Sequence, residues 1–320
     1  MHLGLPEEID PSLFRYLPEG VDVTRIGNEL TGELRLDMWV LPLNPKQAAA
    51  ARPHIRSVHV VQSQYAGVDA FLSLVPPGAT LCDAQGVHDI PVAEWILAAI
   101  LASLKYIPFY VHLQAAGDWK QRIGAESLYL GTHPGAQPMM PPALADELTG
   151  KTVLIVGHGS IGRATEERLK PFDVNVLRIG RRRREGVEPE ERLDDLLPQA
   201  DIVILLVPLT EQTRGFMDGK RLAAMKHGAL LVNAARGPVV ETDALVEALH
   251  SGRIHAVVDV TDPEPLPLGH PLWTAPNLLI TPHIAGSSPG MMDRVMRFIG
   301  EQCRRYLAGE PLAHVVTEGY

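Results

Sequence analysis

The feature that most constrains this chain is the alternation that begins at Lys151. Six short apolar runs, Thr152–Val156, Val174–Ile179, Asp201–Val207, Ala229–Asn233, Ala256–Val260 and Leu278–Thr281, are separated mostly by helical patterns such as Asp243–Ser251. Each run is continuously apolar, as strands buried on both faces are. Strands alternating with helices predict an α/β fold with a doubly wound parallel sheet. The first hundred residues read as a smaller α/β unit, with β-rich segments at Leu36–Leu41, Val58–Val61 and Thr80–Cys82 and turn residues between them, as at Pro76-Pro77-Gly78. A helical pattern opens at Pro91 and runs through Glu94, Ile96, Ile100 and Leu104 to about Ala116. A last helix, Met291–Ala308, carries Val295, Phe298, Ile299 and Tyr306 and is placed to return to the first unit.

Composition removes several function classes. The net charge of −9 argues against a nucleic-acid partner, which wants a basic surface. Two cysteines, Cys82 and Cys303, build neither a disulfide framework nor a metal site, and they fit a reducing cytoplasm. Met1 to Pro11 lacks the basic-then-apolar layout of a signal peptide. The most apolar helical stretch, Val92 to Leu104, contains Glu94 and is too short to span a bilayer. The Pro-rich stretch from His133 to Leu144 reads as an irregular loop.

The first strand of the alternation runs into Gly157-His158-Gly159-Ser160-Ile161-Gly162 and then a helix with Ile161, Ala164, Leu169 and Phe172 as its expected buried stripe. GxGxxG between a strand and a helix is a dinucleotide signature. Its glycines permit the turn, the approach of a pyrophosphate and close helix packing. The helix N-terminus offers free N–H groups to the phosphates. The second strand ends Ile179-Gly180-Arg181-Arg182-Arg183-Arg184. An NAD site wants an acid there for the ribose 2′-hydroxyl, whereas guanidinium groups suit a 2′-phosphate. The run therefore predicts NADP in preference to NAD, with Arg181 and Arg182 as contacts.

Three later segments each follow a strand: Ala234-Ala235-Arg236-Gly237, Thr261-Asp262-Pro263-Glu264-Pro265, and Pro282-His283-Ile284-Ala285-Gly286. Parallel strands put these on one edge, beside the cofactor. Reduction of a 2-keto acid needs a hydride at carbon and a proton at oxygen. A histidine can supply that proton, a carboxylate on its other nitrogen fixes the tautomer, and an arginine grips the substrate carboxylate. His283, Glu264 and Arg236 take these roles. Thirteen histidines are present, and most must be structural. His59 reads as a core or edge residue. His158 could touch phosphate, though its spacing role needs no particular side chain.

These runs, with Val207-Pro208-Leu209-Thr210, Thr213-Arg214-Gly215, Asn233, Asp259-Val260 and Asn277, resemble the D-isomer-specific 2-hydroxyacid dehydrogenase family from about Val92 to Gly286. Gln64-Tyr65-Ala66-Gly67-Val68-Asp69 matches more loosely. The resemblance implies a Rossmann nucleotide-binding domain over residues 99–287. It also implies a flavodoxin-like lid, or substrate domain, from 1–98 and 288–320, and a homodimer built around the helix after Pro91. Tyr65, Ala66 and Gly67 would bind the substrate carboxylate. Asp259 would approach the nicotinamide carboxamide, with Val207, Pro208, Thr213, Ala234, Ala235, Ala285 and Gly286 also lining the cofactor. Gly180 departs from the family's frequent acid, and the Pro-rich insert before Leu148 departs in length.

Rival readings share the scaffold. One is a corepressor-like protein that uses the nucleotide as a ligand. Another is a phosphite or formate dehydrogenase, although formate oxidation would want a glutamine where Glu264 stands.

Overall fold

The structure, a computed structural model, describes residues 1–317 apart from Asn28, Pro134 and Ala143. In chain order its strands are β1 His2–Pro6, β2 Asp22–Ile26, β3 Leu34–Val40, β4 Ile55–Gln62, β5 Thr80–Cys82, β6 Thr152–Val156, β7 Asn175–Gly180, β8 Glu188–Pro189, β9 Ile202–Leu205, β10 Leu230–Asn233, β11 His255–Val258 and β12 Leu278–Ile280. Its helices are α1 Pro45–Ala51, α2 Asp89–Leu104, α3 Ile107–Ala116, α4 Gly124–Thr132, α5 Ser160–Leu169, α6 Leu193–Leu196, α7 Gly219–Ala224, α8 Thr242–His250 and α9 Met291–Ala308.

Two compact units result, Met1–Asp89 with Ser287–Tyr320, and Ile90–Gly286. The sequence reading divides the chain at 98/99 and 287/288 instead. The first of those cuts falls inside α2, whose Val92, Ile96, Ala99 and Ile100 pack with Val153, Ile155 and Ile204 of the second unit. That burial assigns nearly the whole helix to one side.

In the larger unit seven parallel strands run β12-β11-β10-β9-β6-β7-β8. Order reverses between β6 and β9, which is the switch point where such sheets bind ligands. Leu154 and Val156 enter one core cluster, whereas Val153 and Ile155 enter another on the opposite face. Both sides of β6 are covered, hence its unbroken apolar run. The smaller unit carries a parallel sheet in the order β2-β1-β3-β4-β5, the flavodoxin-like order. Within this unit α9 buries Val295, Met296, Ile299 and Cys303 among Leu3, Leu5, Met38 and Val60.

Four local expectations change. β1 and β2 are absent from the sequence reading, although β1 is an inner strand with four buried residues; its HLGLP sequence is short and contains Gly and Pro, both poor strand formers. The helix expected through Ala116 breaks into α2 and α3, bent by 64°. Tyr106 takes a left-handed φ of 51° there and Pro108 starts the new helix, because proline cannot continue the old one. In α5 Thr165, not Ala164, is buried; its hydroxyl donates to the Ile161 carbonyl at 2.9 Å and so needs no other partner. His59 lies exposed on its strand, bonded to the Tyr306 hydroxyl at 2.6 Å. The expected loop from His133 to Leu144 contains no helix or strand among its described residues, and Pro134 and Ala143 lie outside them. No single helix among the described residues is long and apolar enough to cross a membrane.

Candidate active site

The glycine loop is shaped by what crowds it. Gly157 has φ +101°, and a Cβ there would stand 2.6 Å from the Leu206 carbonyl carbon at the end of β9. The loop is then pinned by Gly157 and His158 N–H groups donating to the Ile179 carbonyl at 2.9 and 3.0 Å. A Cβ on Gly162 would lie 2.7 Å from the Gly157 oxygen, so α5 packs against the turn. At Gly159 the same construction meets nothing within 4 Å. No side chain caps the start of α5, so its first-turn N–H groups face that open space at Ser160 and Ile161. A diphosphate fits this cradle on both counts.

Beside it lies a charged cluster that the sequence reading misses. Burial pushes the His158 imidazole towards its neutral form, and it meets Glu166 through Nε2 at 2.6 Å. Glu166 accepts from both Arg178 Nε, at 2.8 Å, and Arg178 Nη2; these bonds first, and the one from His158, hold it down at about 2 despite burial. Arg184 folds over the loop, its guanidinium donating to the His158 carbonyl. Arg183 pairs with Glu188 at 2.7 Å, and Arg181 and Arg182 stand exposed after β7. The one clue in sequence was Arg178, a charge among the apolar residues Val176, Leu177 and Ile179 of β7.

The three expected chemical groups sit on loops that leave the carboxyl ends of β10, β11 and β12. His283 Nδ1 meets Glu264 Oε1 at 2.7 Å, both side chains half-exposed. His283 has φ 53°, a left-handed conformation that histidine adopts more readily than most residues. Its N–H donates to the Asp259 carbonyl at 2.7 Å. The Asp259 carboxylate is 2% exposed and accepts three bonds: from Thr281 Oγ1 at 2.6 Å, Ile284 N at 2.9 Å and Ala285 N at 2.8 Å. Asp259 therefore clasps the histidine loop, a role that the expected carboxamide contact did not anticipate.

Arg236 follows β10 and donates to the Ala235 carbonyl at 2.8 Å. Asn233 shapes this turn, accepting from Ala235 N and donating to the Arg236 carbonyl, each at 3.0 Å. Gly237 brings the arginine and glutamate loops together: a Cβ on it would fall 1.9 Å from the Thr261 oxygen. Any side chain there must push the Arg236 and Glu264 segments apart. After β9, buried Thr213 donates to the Pro208 carbonyl at 2.6 Å and fixes the turn that follows Val207. Ala234 packs partly buried in the core, and Gly286 ends the unit.

In the smaller unit Tyr65, Ala66 and Gly67 form a half-buried loop after β4. The Tyr65 N–H donates to Ser63 Oγ at 2.9 Å, and the Tyr65 ring lies 5.5 Å from His88. His88 in turn contacts the Gln64 carbonyl at 2.9 Å. Among the described residues no three His, Cys, Asp or Glu side chains gather as a metal site.

Residues 97–285 match the model of the D-isomer specific 2-hydroxyacid dehydrogenase NAD binding domain. The chain belongs to this family. A glyoxylate reductase of Thermofilum pendens is 38% identical over 241 residues, covering 73% of this chain and 66% of that protein. A mitochondrial formate dehydrogenase of Solanum tuberosum is 36% identical over 254 residues, covering 76% of this chain but only 62% of its own length. Among solved structures, a D-isomer specific 2-hydroxyacid dehydrogenase of Xanthobacter autotrophicus in complex with NADPH and MES superposes with a TM-score of 0.76 at 27% identity, over 99% of both chains. In this member of the dehydrogenase family the match to the NAD binding domain therefore falls on the larger unit, which carries the glycine loop.

Proposed function

We propose that the protein is an NADPH-preferring reductase of small 2-keto acids, acting reversibly on the D-isomers of 2-hydroxy acids. The observation that carries the reading is the His283–Glu264 pair at 2.7 Å, on loops at the sheet edge that also presents Arg236. With Nδ1 bonded to the carboxylate, Nε2 is left as the acid that protonates a carbonyl oxygen and the base that recovers the proton. Glu264 fixes the ring's orientation and tautomer through Nδ1. Arg236 binds the substrate carboxylate and polarises the carbonyl. The loop of Tyr65, Ala66 and Gly67 belongs to the same reading as a carboxylate-binding segment, with the Tyr65 N–H engaged by Ser63 Oγ and so shaping the loop. The nicotinamide, when bound, supplies or accepts the hydride.

NADPH is preferred on three supports. Gly180 ends β7 with no acid for a ribose 2′-hydroxyl, and Arg181 and Arg182 follow it exposed. The nearby carboxylate of Glu166 is already neutralised by Arg178, so it does not oppose a 2′-phosphate. The similar Xanthobacter protein was solved with NADPH. Homodimers and a cytoplasmic location belong to the same reading. The test is kcat/KM for NADPH and NADH across glyoxylate, hydroxypyruvate, pyruvate and larger 2-keto acids, with formate and phosphite in the oxidative direction. Turnover of a 2-keto acid with NADPH ahead of NADH supports the proposal. Oxidation of formate or phosphite alone, or NADPH binding without turnover, overturns it.

A further inference from the structure

A second cluster of polar groups lies at the amino-terminal edge of the larger sheet, the opposite end from the His283 loop. Lys151 and Asp201 stand just before β6 and β9, and His227 precedes β10. With His255 at the head of β11, they line a pocket of about 90 Å³. A water needs about 10–15 Å³ of such space, so the pocket has room for a group of several heavy atoms.

Its hydrogen-bonding capacity is lopsided. Each carboxylate oxygen in it already accepts a bond. Asp201 takes the Thr152 N–H and Lys226 Nζ, both at 2.7 Å. Asp146 takes the Glu147 N–H at 2.7 Å and Lys151 Nζ at 2.8 Å. The donors are not used up in this way. An ammonium carries three N–H groups, and Lys151 and Lys226 each use one on a carboxylate. The Tyr106 hydroxyl and the His255 ring line the same space and make no side-chain hydrogen bond among the described residues. A guest complementary to these groups must accept and not donate. A metal ion would need acceptors that are already engaged.

Helices end at this edge of the sheet, and their free carbonyls would repel an anion. Near Lys226 that effect is offset, because Arg253 donates to the carbonyls of Ala223 and Met225 at 2.7 and 2.6 Å.

We propose that this pocket is a binding site for a small oxyanion, a phosphate, sulfate or carboxylate group, held by Lys151, Lys226, Tyr106 and His255. The site is separate from the glycine loop and from the catalytic pair. Binding is linked to protonation. Burial first, and His133 second, push His255 down to about 4 against the pull of Asp146. His133, His227, Tyr106, Lys151, Lys226, Asp146 and Asp201 are the titratable groups that share the pocket with it. A bound anion favours the imidazolium, so affinity rises as pH falls from neutrality towards the free-state value.

The test uses sulfate, a dianion across this pH range, titrated into protein saturated with NADPH so that the cofactor's phosphate sites are filled. The readout is the His255 ring signal by NMR, assigned from its loss in His255→Gln, with chloride at equal ionic strength as control. The expected result is a saturable shift specific to sulfate, an upward move of the His255 titration midpoint, and affinity about tenfold weaker in Lys226→Gln and in Lys151→Gln, the loss of one charge-assisted bond. If one variant fails to fold, the other carries the comparison. No saturable shift, an equal shift with chloride, or unchanged affinity in a folded lysine variant overturns the proposal.

Discussion

Replacing Asp259 by Asn tests whether the buried carboxylate holds the histidine loop in its working shape. The side chain keeps its size and loses its charge and one acceptor. If the amide oxygen takes the place of Oδ1, the bonds from Thr281 and Ile284 survive. The amide nitrogen then faces the Ala285 N–H, now at 2.8 Å from Oδ2, and two donors confront each other in a site that is 2% exposed. The loss is one charge-assisted bond plus a buried N–H without a partner, about 2–4 kcal/mol. Loosening falls on residues 281–285, and His283 must hold φ 53° within them. A displacement of about 1 Å at a catalytic group lowers turnover by about a hundredfold. Asp259→Asn should therefore unfold at lower urea and show kcat reduced by about ten- to a hundredfold, with the variant still binding NADPH. Urea denaturation and steady-state rates with saturating NADPH measure both. Wild-type unfolding together with wild-type kcat would refute the clasp.

Three further outcomes follow from other parts of the structure. Arg182→Ala should lower kcat/KM for NADPH by about tenfold and leave that for NADH nearly unchanged, as loss of one exposed phosphate contact requires; equal losses with both cofactors would remove Arg182 from the 2′-phosphate site. Glu264→Gln should lower kcat by about tenfold or more with NADPH still bound, because an amide can present its own N–H to Nδ1 and turn the imidazole to the wrong tautomer; an unchanged kcat would break the pairing. His255 is held neutral in the fold with its value lowered from 6.5 to about 4, so the unfolded chain takes a proton first as pH falls. Its stabilising effect is complete above about pH 6.5 and is lost down to about pH 4, by at most about 3 kcal/mol. In chloride buffer His255→Gln should lose less stability over that interval than the parent, measured by urea unfolding; parallel losses would contradict it.

Much of the larger unit was legible because its signals are local. β6 needed only a continuous apolar run, and the glycine loop needed only its spacing between strand and helix. His283, Glu264 and Arg236 were singled out as candidates because parallel strands deliver the residues after them to one edge. What stayed hidden depends on contacts between segments far apart in sequence. The Arg178–Glu166–His158 cluster spans a helix and a strand, and nothing local marks Glu166 among the acids of α5. The Asp259 clasp joins residues 22 to 26 apart. β1 lacks β-branched residues and holds its place through neighbouring strands on both sides. The oxyanion pocket gathers residues from six separate segments, and no spacing rule connects them.

The central claim is that His283 transfers the substrate proton. The most direct measurement is kcat of His283→Ala with NADPH and the best 2-keto acid of the panel, alongside the dissociation constant for NADPH. Loss of general acid catalysis should lower kcat by about two to four orders of magnitude while NADPH binds as before. A variant that keeps near-normal kcat while chemistry limits the rate would contradict the account.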